Sequence, residues 1–584
     1  MVLEEIPDDP ELRRGWNELV QGMECPEVFY TYDWALSVQR AYGGSLRPLV
    51  FLAYEGEVLA GSVALARKKD ELQSVVFLAG TTADYCDFLS EPGRRRDFVS
   101  EVFSELRKRD VRKIVLANLL ADSASVAAIS GVASSRRYHL LSRPAYACAR
   151  VALGSAEERA ALKQTTLGKK MLRRQLREME KEAALVIRHD TGWDQIEPAL
   201  QSFSRAHVAR FLATGRVSNL VRAERRLFLH ELARELSRSG WVTLSRLLIG
   251  ETPVAWNYGF QFAGSWFWYQ PTFDSRYEDF SPGFCLLAKI VEAACDRPEV
   301  QIVDLGLGAE GYKERFATSN SQTLYLTLNR SLFGHFRAVI RNRAAAVAKA
   351  SPRVEGWIRS LIAYAARLRM HLRESGARGW FSWFGHRVWR SLVAFDEVLF
   401  FEWLGRRDGP ERSRSLALRS LDFDLLGAAA IHYADEPTTL DYLVRSAQRL
   451  RSGGKQGFAL VTTDGMPVHF CWVDDFEGFP IEELKRVLQA PDANAVLIFD
   501  CHTPASARGH GFFPHAISLL ADQLRAAGKP PWIFAAATNH ASLRGIEKSG
   551  FTHRFSLGRR RILFLKKERD SVPAADTAKI AAAA

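Results

Sequence analysis

Three stretches far apart in the chain repeat one pattern: an apolar-rich β run, a turn at glycine, then a second such run. They are LVFLAYEGEVLAGSVALARK at 49–68, LSRLLIGETPVAWNYGFQF at 244–262 and FALVTTDGMPVHFCWVDDF at 458–476. Alternation broken by a short turn predicts an antiparallel hairpin, with Gly56, Gly250 and Gly465 at the bends. The second hairpin follows a helical stretch, RAERRLFLHELARELSRSG, and precedes SPGFCLLAKIVEAACDR and a strand, QIVDLGLG. The third is followed by IEELKRVLQA, which reads as a helix, then a strand, AVLIFD, a glycine loop and the helix PHAISLLADQLRAAG. Strands WIFAAAT and RRRILFLKK close that module. This order predicts an α/β (α+β) architecture of tandem mixed sheets flanked by helices. The expected borders are 1–150, 151–330, a helical connector at 331–394 and a terminal module at 395–568, with 569–584 as a disordered tail.

Charge is concentrated rather than spread. Of a net charge of +12, the stretch from Arg330 to Arg390 carries +11, with thirteen basic residues against Glu355 and Glu374. Its apolar residues recur at helical spacing, so 331–394 is read as basic amphipathic helices. Such a stretch is either a solvated connector or a contact for an anionic membrane surface or RNA. Seven scattered cysteines form neither a CxxC pair nor a Cys/His cluster, so neither a metal site nor a disulfide framework is expected. The start, MVLEEIPDDPELRRGW, is acidic and has no secretory h-region. The expected location is cytoplasmic, with peripheral association at the inner membrane through 331–394.

The most informative stretch is AVLIFDCHTPASARGHGFFPHAISLLADQL. A strand ends in a glycine loop, and Pro514 stands in the first turn of the next helix, where its missing N–H costs nothing. Gly509 and Gly511 let backbone N–H groups approach an anion at the positive end of that helix, and Arg508 adds a full charge. ATNHASLRGIEKSGF follows on the next strand and helix. This pair of segments resembles the GNAT acyltransferase superfamily, in which such a loop cradles the pyrophosphate of acyl-CoA. The resemblance, over about 458–566, implies that Arg508, Gly509, His510, Gly511, Phe512, Asn539 and Ser542 bind acetyl-CoA. Asp500 and His502, at the strand end, are the local acid–base candidates; as alternatives, Asp500 caps a turn and His502 lies on the surface. No tyrosine follows Tyr442, so the general acid usual in that superfamily is missing here.

Residues 1–330 resemble the CelD-like proteins of bacterial exopolysaccharide loci, related to the FemAB peptidoglycan aminoacyltransferases, in which two GNAT-like halves pack together. The landmarks are PEVFYTYDWALSVQRAYG, DYCDFL, LGKKMLRRQLREMEKE and the stretch from FWYQPTFDSRYEDFSPG to VDLGLGAEGYKERFATS. By this resemblance Lys313 is the catalytic candidate, a cation for the oxyanion of acyl transfer; the alternative is a surface ion pair with Glu310. Asp84, Tyr85, Asp87 and His207 are candidates for lining an acceptor groove. Tyr269, in an aromatic strand, is either part of a substrate platform or sheet core.

The resemblances imply transfer of an acyl group, acetyl foremost, from acyl-CoA to an amine of a sugar or small-molecule acceptor, in exopolysaccharide or cell-envelope biosynthesis. No metal and no DNA partner are implied. Two other readings remain open: a FemAB-like transferase using aminoacyl-tRNA on a peptidoglycan-type precursor, and a non-catalytic scaffold of a polysaccharide-synthesis complex.

Overall fold

The computed structural model describes residues 1–308, 310–350, 393–405, 416–481, 484–562 and 565–571. Residues 351–392 of the expected connector and the tail from 572 lie outside the described residues. The chain divides into two compact units, residues 1–210 with 219–350, and residues 211–218 with 351–584.

In the first unit one continuous mixed sheet runs through both expected halves. The first half contributes β1 (Val2–Leu3), β2 (Leu46–Glu55), β3 (Val58–Lys68), β4 (Glu71–Phe77), β5 (Leu89–Ser90), β6 (Lys113–Leu120) and β7 (His139–Ala152). The second contributes β8 (Leu185–Asp190), β9 (Val242–Ile249), β10 (Thr252–Phe262), β11 (Ser265–Phe273), β12 (Ile302–Leu307) and β13 (Ser319–Asn329). The hairpins expected at 49–68 and 244–262 are β2–β3 and β9–β10, both antiparallel. The sheet order is β1-β2-β3-β4-β6-β13-β7-β12-β11-β10-β9-β8, with β5 on β3. The last strand of the second half thus lies between β6 and β7, two strands of the first. In turn β7, the last strand of the first half, pairs with β12 of the second. Each half is completed by a strand from the other, so the border near 150 falls within one shared sheet.

Each half also contains a strand–helix–strand crossover whose two strands are parallel. In the first, β4 leads through helix Arg95–Lys108 to β6; in the second, β11 leads through helix Pro282–Cys295 to β12. The helix of the second half is apolar on most of its surface, with Leu286, Leu287, Ile290 and Val291 buried against the sheet. Parallel pairing is short in both. β4 and β6 pair only at residues 74–76 with 113–115, and β11 and β12 only at 265–267 with 302–304. Beyond those residues both strands continue without pairing to each other, so a wedge opens at their carboxyl ends.

The second unit repeats the plan. Its sheet is built from β14 (Val393–Trp403), β15 (Leu416–Ser420), β16 (Gln456–Thr462), β17 (Pro467–Asp475), β20 (Val496–His502), β21 (Pro531–Ala536), β22 (Phe551–Ile562) and β23 (Leu565–Ser571). The order is β15-β16-β17-β20-β21-β14-β22-β23. The hairpin expected at 458–476 is β16–β17. A third wedge opens after Ile498 and Ile533, the last paired residues of the parallel strands β20 and β21. Here the strand beyond the wedge is β14, supplied by the unit's own amino-terminal end. The helix expected at 481–490 does not form. Instead β18 (Pro480–Ile481) and β19 (Arg486–Val487) make a small ribbon, closed by the N–H groups of Gly478 and Leu488. Ile481, Leu484 and Leu488 are spaced as on a helix, yet the ribbon buries all three, with Lys485 in the left-handed region at its turn.

The exchanged strands make the two halves of the first unit one cooperative structure. Leu328 on β13 is fully buried, so Leu328→Ala is expected to cost about 2–5 kcal/mol. That loss should appear as earlier unfolding of β4 and β11 together in hydrogen-exchange measurements. Earlier opening of one half alone would show that the exchange does not couple them.

Candidate active site

The wedge of the second half opens at the pair Phe267–Asp304. At the matching place the other two wedges carry Val76–Val115 and Ile498–Ile533. A buried carboxylate at that place needs partners, because an unpaired charge in low dielectric is costly. Asp304 has four contacts from three parts of the unit. Tyr85 Oη donates to both carboxylate oxygens at 3.0 Å, Arg150 Nε donates at 2.8 Å from β7, and the Gly306 N–H donates at 2.8 Å. Arg150 also reaches buried Glu27 at 3.2 Å and lies over the Tyr85 ring. Burial, then the charge of Asp304, holds the Glu27 carboxyl well above the usual range, against the opposing pull of Arg150.

Tyr85 arrives on the loop after β4, and its neighbour Asp84 enters the same wedge. Gly306 has φ +71°, and a Cβ there would lie 2.6 Å from Asp84 Oδ2 and 3.3 Å from the Trp268 carbonyl oxygen. Only glycine fits, both for its backbone conformation and for the space that Asp84 takes. Burial first, and the nearby Asp304 charge second, push the Asp84 carboxyl up to about 7, although Lys313, the Leu307 N–H and Arg225 pull the other way. Lys313 is buried on a short 3₁₀ turn, Lys313–Arg315. Its Nζ donates to the Leu307 carbonyl at 2.9 Å and meets Glu310 at 2.8 Å. An ammonium has three donors, so these two partners fix its position and leave one N–H direction. Lys313 is therefore no surface residue, although its Glu310 partner is exposed.

Around this pair stands a second polar layer. The Tyr269 hydroxyl donates to the Thr82 carbonyl and receives a hydrogen bond from Arg225 Nη2 at 2.9 Å. Arg225 also donates to Gln270 at 2.8 Å, and Gln270 Nε2 lies 2.9 Å from His207 Nε2. Burial, then the charges of Arg210 and Arg225, take the His207 pKa down to about 3, so its imidazole is neutral and serves as an acceptor. Burial pushes the Tyr269 hydroxyl up to about 12 despite Arg225. Trp266, Phe267 and Trp268 are sheet core. The structure thus brings together Asp84, Tyr85, Lys313, His207 and Tyr269. Asp87 is turned elsewhere: it accepts from Ser123 Oγ at 2.7 Å and the Phe88 N–H, beside Arg95.

In the second unit the loop at 508–512 lies where the third wedge opens. Gly509 and Gly511 have φ +85° and +76°, with open space where a Cβ would stand. Among the described residues no acceptor takes the N–H of Gly509, His510, Gly511, Phe512 or Phe513. Gly511 caps helix Phe512–Ala526 without a side-chain bond, and the exposed Arg508 donates to the Thr503 carbonyl at 3.2 Å. The His510 ring stacks on Phe512. Asn539 accepts from the Ser542 N–H at 3.2 Å, capping helix His540–Lys548. The acid–base candidates are engaged elsewhere. Asp500 forms an ion pair with Arg449 at 2.8 Å. His502 stacks on Tyr442 and bonds Thr439 at 3.0 Å, while burial and then Arg508 take its pKa down to about 4. Thr439 leads on to Glu436. Burial alone would raise that carboxyl, but hydrogen bonds from Ser506, Thr439 and Ala505 outweigh it and bring it down to about 2. This chain fastens the strand end to helix Pro437–Ser452. Among the described residues no group of three or more His, Cys, Asp or Glu could hold a metal ion.

Residues 168–314, which contain the second wedge with Asp304 and Lys313, match the family model for an acetyltransferase (GNAT) domain. The match lies within the second half of the first unit. No curated protein matches the chain. Among solved structures similar to it, FemX shares 8% identity at a TM-score of 0.40, covering 54% of this chain and 95% of FemX. The tandem GNAT protein from the clavulanic acid biosynthesis pathway shares 13% at 0.35, covering 57% and 98%. L-PGS from Bacillus licheniformis shares 12% at 0.36, covering 57% and 96%.

Glu27, Arg150 and Arg225 belong to the centre of the first unit and were not expected from sequence. An acid directly before the wholly apolar or aromatic VFY is the one local sign of Glu27. Because Asp304 is a charged knot, Asp304→Ala is expected to cost about 3–5 kcal/mol by stranding Arg150. The milder Asp304→Asn should move the Asp84 titration to lower pH, since a like charge is removed. An Asp84 titration unmoved in Asp304→Asn, followed by NMR of the carboxyl carbon, would contradict the coupling.

Proposed function

We propose that this chain is an N-acyltransferase that moves an acyl group, acetyl foremost, from acyl-CoA to an amine of a sugar or small-molecule acceptor. The observation that carries the reading is a carboxyl with a pKa near 7, Asp84, held within a buried polar wedge with the fixed ammonium of Lys313. A base that titrates near the working pH takes a proton from an attacking amine efficiently. As the amine adds to the acyl carbonyl, negative charge develops on its oxygen, and the remaining Lys313 N–H can donate to it. Collapse of the tetrahedral intermediate breaks the carbon–sulfur bond and releases the thiolate. Tyr85, Arg150 and Asp304 are positioning residues that hold Asp84 in place.

The terminal unit offers its own candidate for holding the diphosphate of an acyl-CoA, separate from the Asp84 wedge. Among the described residues five successive N–H groups at 509–513, beside Arg508, have no acceptor and suit a diphosphate. Acetyl-CoA should therefore raise the melting temperature of the full chain. Arg508→Glu reverses the exposed charge beside those amides and should weaken CoA at least tenfold while leaving the unliganded melting temperature close to wild type. Stabilisation by tRNA and none by acetyl-CoA would transfer the reading to an aminoacyl-tRNA donor.

Asp84 supplies a test with a second readout. Asp84→Asn should lower kcat/KM by about a hundredfold or more and remove the limb that rises through about pH 7. The raised pKa also has a stability consequence. The folded chain keeps a proton that the unfolded chain gives up near pH 4, so this contribution is full below that pH and is lost as pH rises through about 7. Asp84→Asn should therefore be more stable than wild type at pH 8, by up to roughly 4 kcal/mol, and no more stable at pH 4. Equal stability at both pH values would remove Asp84 from the role of base.

A further inference from the structure

Helix Leu332–Ala350, which follows β13, is amphipathic in the inverted sense. With 3.6 residues per turn, positions 334, 335, 338, 339 and 342 share one face, and 332, 333, 336 and 340 share the opposite one. The first set, Gly334, His335, Ala338, Val339 and Asn342, is the partly buried face, with the His335 ring 5.9 Å from that of His139 on β7. The second set holds the large apolar side chains, and it faces outward. Leu332 is 61% exposed, Phe333 72%, Phe336 62% and Ile340 65%. Soluble helices place such residues inward, so a contiguous apolar face of this kind marks a contact surface.

The charges around the face indicate what it meets. Arg337, Arg341 and Arg343 are all exposed; Arg343 shares the outward side, Arg337 borders it and Arg341 stands on the flank, and the Arg337 guanidinium lies 5.8 Å from the Phe333 ring centre. From 331 to 350 the sequence contains four basic residues and no acid. Aromatic and aliphatic side chains bordered by arginines suit the boundary of an anionic bilayer, where rings enter the acyl region and guanidinium groups meet phosphates. Among the described residues no helix is long and apolar enough to cross a membrane, so the contact is one of lying on the surface. We propose that helix 332–350 docks the protein onto an anionic lipid bilayer through Leu332, Phe333, Phe336 and Ile340, with Arg337, Arg341 and Arg343 holding lipid phosphates. The inference is independent of the transfer chemistry.

The test is co-sedimentation of the full chain with vesicles of phosphatidylcholine, with or without phosphatidylglycerol. Binding is expected only with phosphatidylglycerol, weakening as salt is added. Phe333→Ser with Phe336→Ser should reduce it at least tenfold, and so should Arg337→Glu with Arg341→Glu, while the melting temperature of both variants stays near wild type. Three outcomes overturn the proposal: no sedimentation of wild type with anionic vesicles, undiminished binding by the Phe333/Phe336 variant, or a wild-type dimer that this variant abolishes. The last would assign the face to a second copy of the chain.

Discussion

The first unit depends on one buried carboxylate. Asp304 joins a loop of the first half through Tyr85, the exchanged strand β7 through Arg150, and its own turn through the Gly306 N–H. An ion in low dielectric is tolerated only when its partners are all in place, so this constraint acts on every element that supplies one. The strand exchange makes that possible. Arg150 stands opposite Asp304 because β7 pairs with β12, and β7 holds that place because β13 occupies the slot beside β6. Backbone pairing brings the residues together, and the charged knot in turn penalises any slip of register between halves.

Three copies of one backbone device end differently. In each, a parallel pair of strands separates after three paired residues, and a helix connects them. In the first copy the pair is all apolar where it separates. In the second, Asp304 stands at that point, and the loop carrying Asp84 and Tyr85 from the first half enters the opening, so polar side chains fill the wedge. In the third, the unpaired amides of 509–513 line the approach, and the nearby acid and imidazole are engaged by Arg449 and Thr439. A wedge with unpaired donors suits a group that brings its own negative charge. A wedge filled with a tuned carboxyl and a fixed ammonium suits proton transfer. The three openings differ in what fills them, since the strands alone are nearly equivalent.

What could be read from the sequence follows the range of the interactions. The three hairpins were legible because alternation and a glycine turn are encoded within twenty residues. The ribbon at 480–487 was not, because Ile481, Leu484 and Leu488 fit a helix as well as they fit a fold pinned by Gly478 and Leu488. Asp84, Tyr85 and Lys313 could be named from local motifs and resemblance, but the knot joining them spans 219 residues for Tyr85–Asp304 and 154 for Arg150–Asp304. No periodicity encodes such pairs. His502 and Asp500 had the right residue types at a strand end, and it is their partners Thr439 and Arg449, on a helix some sixty residues earlier, that engage them elsewhere.

Charge balance explains why Asp84 titrates where it does. Glu27, Asp84 and Asp304 face Arg150, Lys313 and Arg225, three potential anions against three cations. Arg150 is shared by Glu27 and Asp304, and Lys313 gives two of its donors to Leu307 and Glu310. Glu27 and Asp84 are both pushed up by burial and by the charge of Asp304, but Lys313, the Leu307 N–H and Arg225 hold Asp84 at about 7, within reach of neutral pH. Asp84 can therefore lose and regain a proton near neutral pH beside the ammonium of Lys313, which is what the proposed role of base requires. A fully paired Asp84 would make the unit more stable above neutral pH, and its weaker basicity would not serve the proposed transfer.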